Sequence, residues 1–286
     1  MMTQSLKILA SLVCLALLLT GCSSNDKREF TENSETAFFE NAMKASKAGN
    51  YSTAIELLEE LESRYPFGRY SQQAQLELIF AYYKSADYES SRATSSRFIR
   101  LHPQHLKLDY VYYLKGLASY QQDKDFFDRF LNIETSQRDM GAARQSLVDF
   151  GILLNRFPDS QYADEARARM IYLRNQLAEH EIHVGQYYIK RKAWIAAANR
   201  GRYVVENYPT TPSVPDGLAL MIQGYQQLGL TDLVNQTQKI LSQNAPNYAG
   251  LDETGNFKIE DGQVKQKRSW LNRLSFGLFG EDGTSE

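Results

Sequence analysis

Tyr51 to Pro66, YSTAIELLEELESRYP, sets the frame for the whole chain. Tyr51, Ala54, Leu58, Leu61 and Pro66 stand at offsets 0, 3, 7, 10 and 15. The first four offsets fall on one stripe of a helix of 3.6 residues per turn, so one face is apolar and needs a neighbour. The proline cannot continue the helix, and it pushes the residue before it out of the α region. The same frame fits Tyr88 to Pro103, Ala143 to Pro158, Trp194 to Pro209 and Thr231 to Pro246. Five of the seven prolines therefore close the same helical unit. The chain is a repeat protein.

A partner helix is expected upstream of each unit. Ile79 and Tyr82 precede Tyr88 at the same spacing as Gly185 and Tyr188 before Trp194, and Ile222 and Tyr225 before Thr231. Small residues let two helices approach closely, and the tyrosine fills the gap to the next pair. This arrangement resembles the tetratricopeptide repeat (TPR). One such pair cannot bury its own apolar face, so several must stack. The predicted fold is all-α: a TPR-like helical-hairpin solenoid of five repeats over 35–246, with an insert in the third repeat and a C-terminal tail over 247–286.

The amino terminus carries a different signal. Ile8 to Leu19, ILASLVCLALLL, follows a single lysine and is shorter than the ~20 residues of a spanning helix, so it reads as the core of a signal peptide. Leu19-Thr20-Gly21-Cys22 then resembles the lipobox of bacterial lipoproteins. That resemblance implies removal of 1–21, a lipid on Cys22, and a lipidated tether over 22–34. In that family a serine after the cysteine, here Ser23, implies transfer to the outer membrane. Buried acyl methylenes contribute ~0.8 kcal/mol each, so more than one chain anchors firmly. The other reading is an ordinary cleavable signal followed by a chance cysteine.

Composition narrows the chemistry. The two cysteines are Cys14, within the signal, and Cys22; the mature chain has no thiol left for a disulfide or a metal cluster. A net charge of −2 gives no support for nucleic-acid binding. Mean hydropathy of −0.47 and a single long apolar run argue against a second membrane segment. His180-Glu181-Ile182-His183 has its histidines at i and i+3, whereas a zinc-peptidase helix needs i and i+4. His102 and His105 flank a helix-ending proline and read as cap or surface residues. There is no GxSxG, GKS or GxGxxG motif, and Glu56, Glu59, Glu60 and Glu62 read as the solvated face of a helix. No metal, cofactor or catalytic group is expected, and the protein reads as a binding protein rather than an enzyme.

Three stretches depart from the repeat. Asp123 to Asp139 is an insert between the two helices of the third repeat, with Phe126, Phe127 and Phe130 inside a charged rim. It reads as a loop tucked onto the solenoid or as an exposed partner-binding loop. Tyr162 to Glu181 is long enough for an additional or extended helix ahead of the fourth repeat. Gln263 to Gly280, QVKQKRSWLNRLSFGLFG, reads either as an amphipathic helix for a partner or membrane surface, or as a disordered end.

Tyr65-Pro66-Phe67-Gly68-Arg69-Tyr70-Ser71 places three aromatics and an arginine where a plain linker would be polar. With the lipobox, the five repeats and the segment Tyr187-Tyr188, Arg191, Ala193-Trp194 and Asn199-Arg200, it resembles the BamD family of TPR lipoproteins. These belong to the outer-membrane β-barrel assembly (BAM) machine. The resemblance covers 35–246 and implies a lipid-anchored scaffold on the periplasmic face of the outer membrane. Its amino-terminal repeats would receive the carboxy-terminal strand of unfolded outer-membrane β-barrel proteins, which ends in an aromatic residue. Tyr65, Phe67 and Tyr70 would supply stackable apolar surface, and Arg69 would pair with the terminal carboxylate. Alternatively, Tyr65 and Phe67 simply pack the repeat junction; Arg69 and Tyr70 are expected to be the more exposed pair. The carboxy-terminal repeats would meet the periplasmic domains of the barrel-forming subunit BamA and other BAM lipoproteins, with Arg191 and Arg200 as candidates. The runner-up reading is a TPR lipoprotein that scaffolds cell-wall or division enzymes.

Overall fold

A computed structural model describes residues 34–130 and 140–258, with side chains over 34–122 and 140–258. The expected signal peptide, Cys22 and most of the expected tether, residues 131–139 of the insert, and the tail from 259 lie outside the described residues. Ten helices occupy the described chain, and they form five antiparallel pairs in sequence order. The pairs are α1 (Glu35–Lys47) with α2 (Tyr51–Arg64), α3 (Ser71–Lys84) with α4 (Tyr88–Leu101), and α5 (Leu108–Phe130) with α6 (Gly141–Arg156). They continue with α7 (Ala163–Lys190) and α8 (Trp194–Asn207), then α9 (Val214–Gln227) and α10 (Thr231–Asn244). Each helix packs on its chain neighbours, and α3 also meets α5 as α7 meets α9. That is the contact pattern of a stacked helical-hairpin solenoid. None of the described helices is long and apolar enough to cross a membrane.

The turn inside the first, second, fourth and fifth pairs is set by one residue in the left-handed region. Gly49 and Gly229 have φ of 76° and 71°, and the equivalent Ala86 and Lys192 adopt 64° and 58°. Glycine takes this conformation without steric strain, whereas the latter two bear it at a cost of order 1 kcal/mol. Asn50 and Asp87 then cap the second helix by accepting the amides of Thr53 and Ser90.

The repeat frame read from the sequence holds in the packing. Ala54, Leu58 and Leu61 are buried in the first pair, Ser91, Ser95 and Phe98 in the second, and Ala143, Ser146, Phe150 and Leu153 in the third. Gly116 lies against the Phe150 ring, where an added Cβ would sit 2.6 Å from Cε1. In the last pairs the helix backbones nearly touch, and a Cβ on Gly201 of α8 would clash with the Gly217 carbonyl oxygen of α9.

Two irregular stretches resolve. The expected loop from Asp123 begins instead as helix, because α5 continues to Phe130. The long segment before the fourth repeat is one continuous helix of 28 residues, the extended α7. Beyond Pro246 packed structure continues: Tyr248, Leu251 and Phe257 lie on the cluster between α9 and α10, and Leu251 pairs with Phe257 in an antiparallel bridge. Tyr248 also donates from its hydroxyl to the nearly buried Asp216, at 2.9 Å.

Candidate functional site

The five proline-containing connectors that follow the second helix of each pair share one geometry. The residue before each proline, Tyr65, His102, Phe157, Tyr208 or Ala245, has φ between −127° and −142° and ψ between 49° and 65°. Proline enforces this by excluding the α region from its predecessor. Two backbone hydrogen bonds follow in every case: Gly68 to Tyr65 and Ser71 to Gly68 in the first connector, His105 to His102 and Leu108 to His105 in the second. Ser160 to Phe157 and Ala163 to Ser160, Thr211 to Tyr208 and Val214 to Thr211, and Tyr248 to Ala245 and Leu251 to Tyr248 complete the series. Equivalent positions can therefore be compared directly, and four connectors serve as controls for the fifth.

The residue after the proline is exposed in all five connectors: Phe67, Gln104, Asp159, Thr210 and Asn247. Four are polar, as exposure requires, and the phenylalanine is the exception, at 99% exposed. An aromatic side chain left wholly in water contributes nothing to this fold. Two positions on stand Arg69, Leu106, Gln161, Pro212 and Ala249, again all exposed. Arg69 lies 5.5 Å from the Tyr70 ring centre, a cation–π distance, and has no carboxylate partner among the described residues.

Tyr70 behaves differently. Its ring stacks on Phe39 of α1, with centroids 4.6 Å apart and planes 9° apart. The equivalent Tyr162 stacks in the same way on Tyr113 of α5, at 4.6 Å and 16°. A contact that recurs where no partner is expected belongs to the architecture. Tyr65 is likewise partly buried against the core of the first repeat, as Phe157 is against its own, and the equivalent Tyr208 is buried outright. The expected exposed pair of Arg69 and Tyr70 is therefore corrected to Phe67 and Arg69. Tyr65 and Tyr70 pack against the first repeat instead, with the Tyr70 ring beneath the Arg69 guanidinium.

Gly68 has its own explanation. In the second and third connectors the amide of the fourth residue after proline is taken by a side chain two residues earlier: Lys107 N–H donates to His105 Nδ1 and Tyr162 N–H to Ser160 Oγ. Gly68 has no side chain to offer. Glu35 of α1 supplies the acceptor instead, taking the Tyr70 amide at 2.6 Å. A Cβ at position 68 would collide with that carboxylate. The Phe-Gly pair thus lets α1 clamp the connector and hold Phe67 outward. His105, partly buried beside His102 and Lys107, is held below the ordinary histidine range chiefly by burial.

At the far end, Arg191 and Arg200 flank the adjacent Tyr187 and Tyr188. Arg191, the C-cap of α7, is exposed and lies 5.3 Å from the Tyr187 ring, itself 50% exposed. Arg200 is bound inward: its Nη1 donates to Glu181 Oε2 at 2.7 Å, while Arg144 Nη2 of α6 donates to Glu181 Oε1 at 3.2 Å. The Glu181 side chain is 3% exposed, whereas Arg144 and Arg200 keep 46% and 41%. Its hydrogen bond to Glu181, with a further one that it donates to Tyr188, holds the Arg200 guanidinium above its ordinary value. One buried carboxylate under two half-exposed guanidiniums leaves a net positive surface that joins three helices.

Glu35, Phe39 and Arg144 were not singled out from the sequence, and Glu181 stood out only within the rejected histidine motif. Glu181 carried a readable signal, since it interrupts the buried stripe of Leu177, Ala178, Ile182 and Gly185. A carboxylate on such a stripe requires a charged partner.

These features define a helical-hairpin repeat protein that displays aromatic and cationic groups at both ends of the stack. Residues 31–241 match the YfiO family, described as "Outer membrane lipoprotein". Over 236 residues the chain is 42% identical to the outer membrane protein assembly factor BamD of Vibrio cholerae, covering 82% of this chain and 97% of that protein. Over 239 residues it is 38% identical to the BamD of Neisseria meningitidis serogroup A, covering 82% and 90%. The chain therefore belongs to the BamD family of outer membrane protein assembly factors. A tetratricopeptide repeat protein from Parabacteroides merdae also aligns, over 76% of this chain and 68% of that one, at 13% identity. Its TM-score of 0.37 is too low to bear on the fold, which rests on the hairpins themselves.

Proposed function

We propose that the chain is the lipid-anchored scaffold of the β-barrel assembly machinery, held by Cys22 on the periplasmic face of the outer membrane. Its first connector receives the carboxy-terminal strand of unfolded barrel proteins. Phe67 meets the terminal aromatic residue and Arg69 the terminal carboxylate. The surface around Arg191, Tyr187 and the Arg144–Arg200 pair contacts the periplasmic domains of the barrel-forming subunit BamA and neighbouring BAM lipoproteins. The single observation that carries the client reading is the first connector itself. Among five connectors of one geometry, it displays a fully exposed phenylalanine beside an arginine with no carboxylate partner among the described residues.

The test is affinity purification of the lipidated protein from its native membrane, with copurifying proteins identified by mass spectrometry. A large β-barrel protein with periplasmic domains is expected in wild type and in Phe67→Ser, with unfolded client barrels lost from the variant. Cell-wall synthases or hydrolases without a barrel partner would overturn the reading and favour the alternative TPR scaffold.

A further inference from the structure

The two most exposed large apolar side chains among the described residues are Phe67, at 99%, and Leu106, at 94%. They stand in consecutive connectors of one geometry, so they project from the same edge of the stack, one repeat apart. Leu106 occupies the position that Arg69 holds in the first connector, where the later connectors have Gln161, Pro212 and Ala249. Leu101, the last residue of α4, is also 56% exposed, five positions before Leu106. No such side chain appears in the third or fourth connector, so the apolar ledge ends after the second repeat.

From this juxtaposition we infer that the client site spans two connectors, with Leu106 as a second contact for the same extended strand. The inference rests on the reading of the first connector given above. Its occupant is an extended peptide with alternating apolar residues and a free carboxy terminus. Each connector carries an exposed cation, Arg69 on the first and Lys107 on the second. The planar guanidinium of Arg69, which can take a carboxylate bidentately beside the fully exposed Phe67, sets the direction: the carboxylate end lies at Arg69 and the upstream part runs toward Leu106. Neighbouring repeats are separated by roughly one to two helix widths, about 10 to 20 Å. A strand rises ~3.3 Å per residue and returns a side chain to the same face at every second position. An apolar residue roughly four to six positions upstream of the carboxy terminus thus reaches Leu106. Leu106 then sets a preference for strands that are apolar at that position, whereas Arg69 and Phe67 read only the chain end.

The experiment measures binding of synthetic peptides to the full lipidated chain in detergent micelles by fluorescence anisotropy. The parent is a twelve-residue peptide of alternating apolar and polar residues that ends in a phenylalanine carboxylate. A second peptide carries serine in place of the apolar residues four and six positions from the end, and a third ends in an amide. Leu106→Gln is the variant, its fold checked by circular dichroism. It is expected to bind the parent about fivefold more weakly than wild type and the serine peptide equally well. Equal binding of the parent by wild type and Leu106→Gln overturns the inference, as does equal weakening of both peptides. The amide peptide judges the underlying reading separately: it must bind wild type more weakly than the parent, and Arg69→Gln must erase that difference. If the parent does not bind wild type at all, the first-connector reading fails and the extension falls with it.

Discussion

Arg200 tests whether the positive surface at the carboxy-terminal end is structural, interfacial or both. Glu181 is 3% exposed and held by Arg200 at 2.7 Å and Arg144 at 3.2 Å. Removing one partner of a fully buried pair costs roughly 3–5 kcal/mol, whereas exposed pairs contribute about 0.2–1 kcal/mol. Arg200 keeps 41% of its side-chain exposure and Arg144 remains to compensate, so Arg200→Leu should lose about 2 kcal/mol. Arg200→Glu sets a second carboxylate beside the first and should lose more, about 3–4 kcal/mol. Urea unfolding followed by far-ultraviolet circular dichroism reads the difference, and Glu181→Gln combined with Arg200→Leu should recover most of it. If Arg200→Leu lies within about 0.5 kcal/mol of wild type, the buried-carboxylate argument is wrong. The consequence for function is direct. Lost copurification of the barrel subunit in Arg200→Glu counts as an interface effect only if the variant is folded, whereas the exposed Arg191→Glu reports on the interface without that confusion.

Gly201→Ala should be destabilised by about 3 kcal/mol, because its methyl meets the Gly217 carbonyl and α8 and α9 cannot separate without emptying their shared core. Gly151→Ala, whose methyl would stand 3.8 Å from Met170 Cε, should instead gain up to ~1 kcal/mol of helix stability; thermal melts of both variants check the contrast. Burial holds the Glu77 carboxyl above its ordinary range despite the attraction of Lys47. Because the folded value is raised, its favourable contribution is present at acid pH and is lost as pH rises through that value. Glu77→Gln should accordingly be more stable than wild type at pH 7 and match it near pH 4, and a variant less stable at pH 7 would contradict this. Cys22→Ala should move the protein from the membrane pellet to the soluble periplasmic fraction, which fractionation and blotting would detect.

The frame of five helices closed by proline was legible because its causes are local. An apolar stripe and a ring that fixes φ act within sixteen residues, wherever the chain leads next. The site was only partly legible, because its sorting depends on contacts between distant segments. Tyr70 looks like a binding residue until Phe39, from the first helix, is found beneath it. Gly68 looks like a simple turn residue until Glu35 is found filling the space it leaves. Arg200 was visible as an arginine on the fourth repeat, but its inward bond depends on a glutamate that had drawn notice only as part of a failed metal motif. Ala86 and Lys192 gave no sign of their left-handed turns, since nothing in their chemistry favours that conformation. Leu106 was unremarked because one leucine in a polar linker is ordinary. Its meaning comes from the four equivalent positions in the other connectors.

The central claim, assembly of outer-membrane barrels, is tested most directly by depleting this protein in its own bacterium. Heat-modifiable β-barrel proteins in the outer membrane would then be quantified alongside peptidoglycan composition. The account predicts that folded barrels fall steeply and unfolded ones accumulate, while peptidoglycan changes little. It also predicts rescue by wild type, and little rescue by the Phe67→Ser, Arg69→Gln double variant. Normal barrel levels with altered peptidoglycan would contradict it.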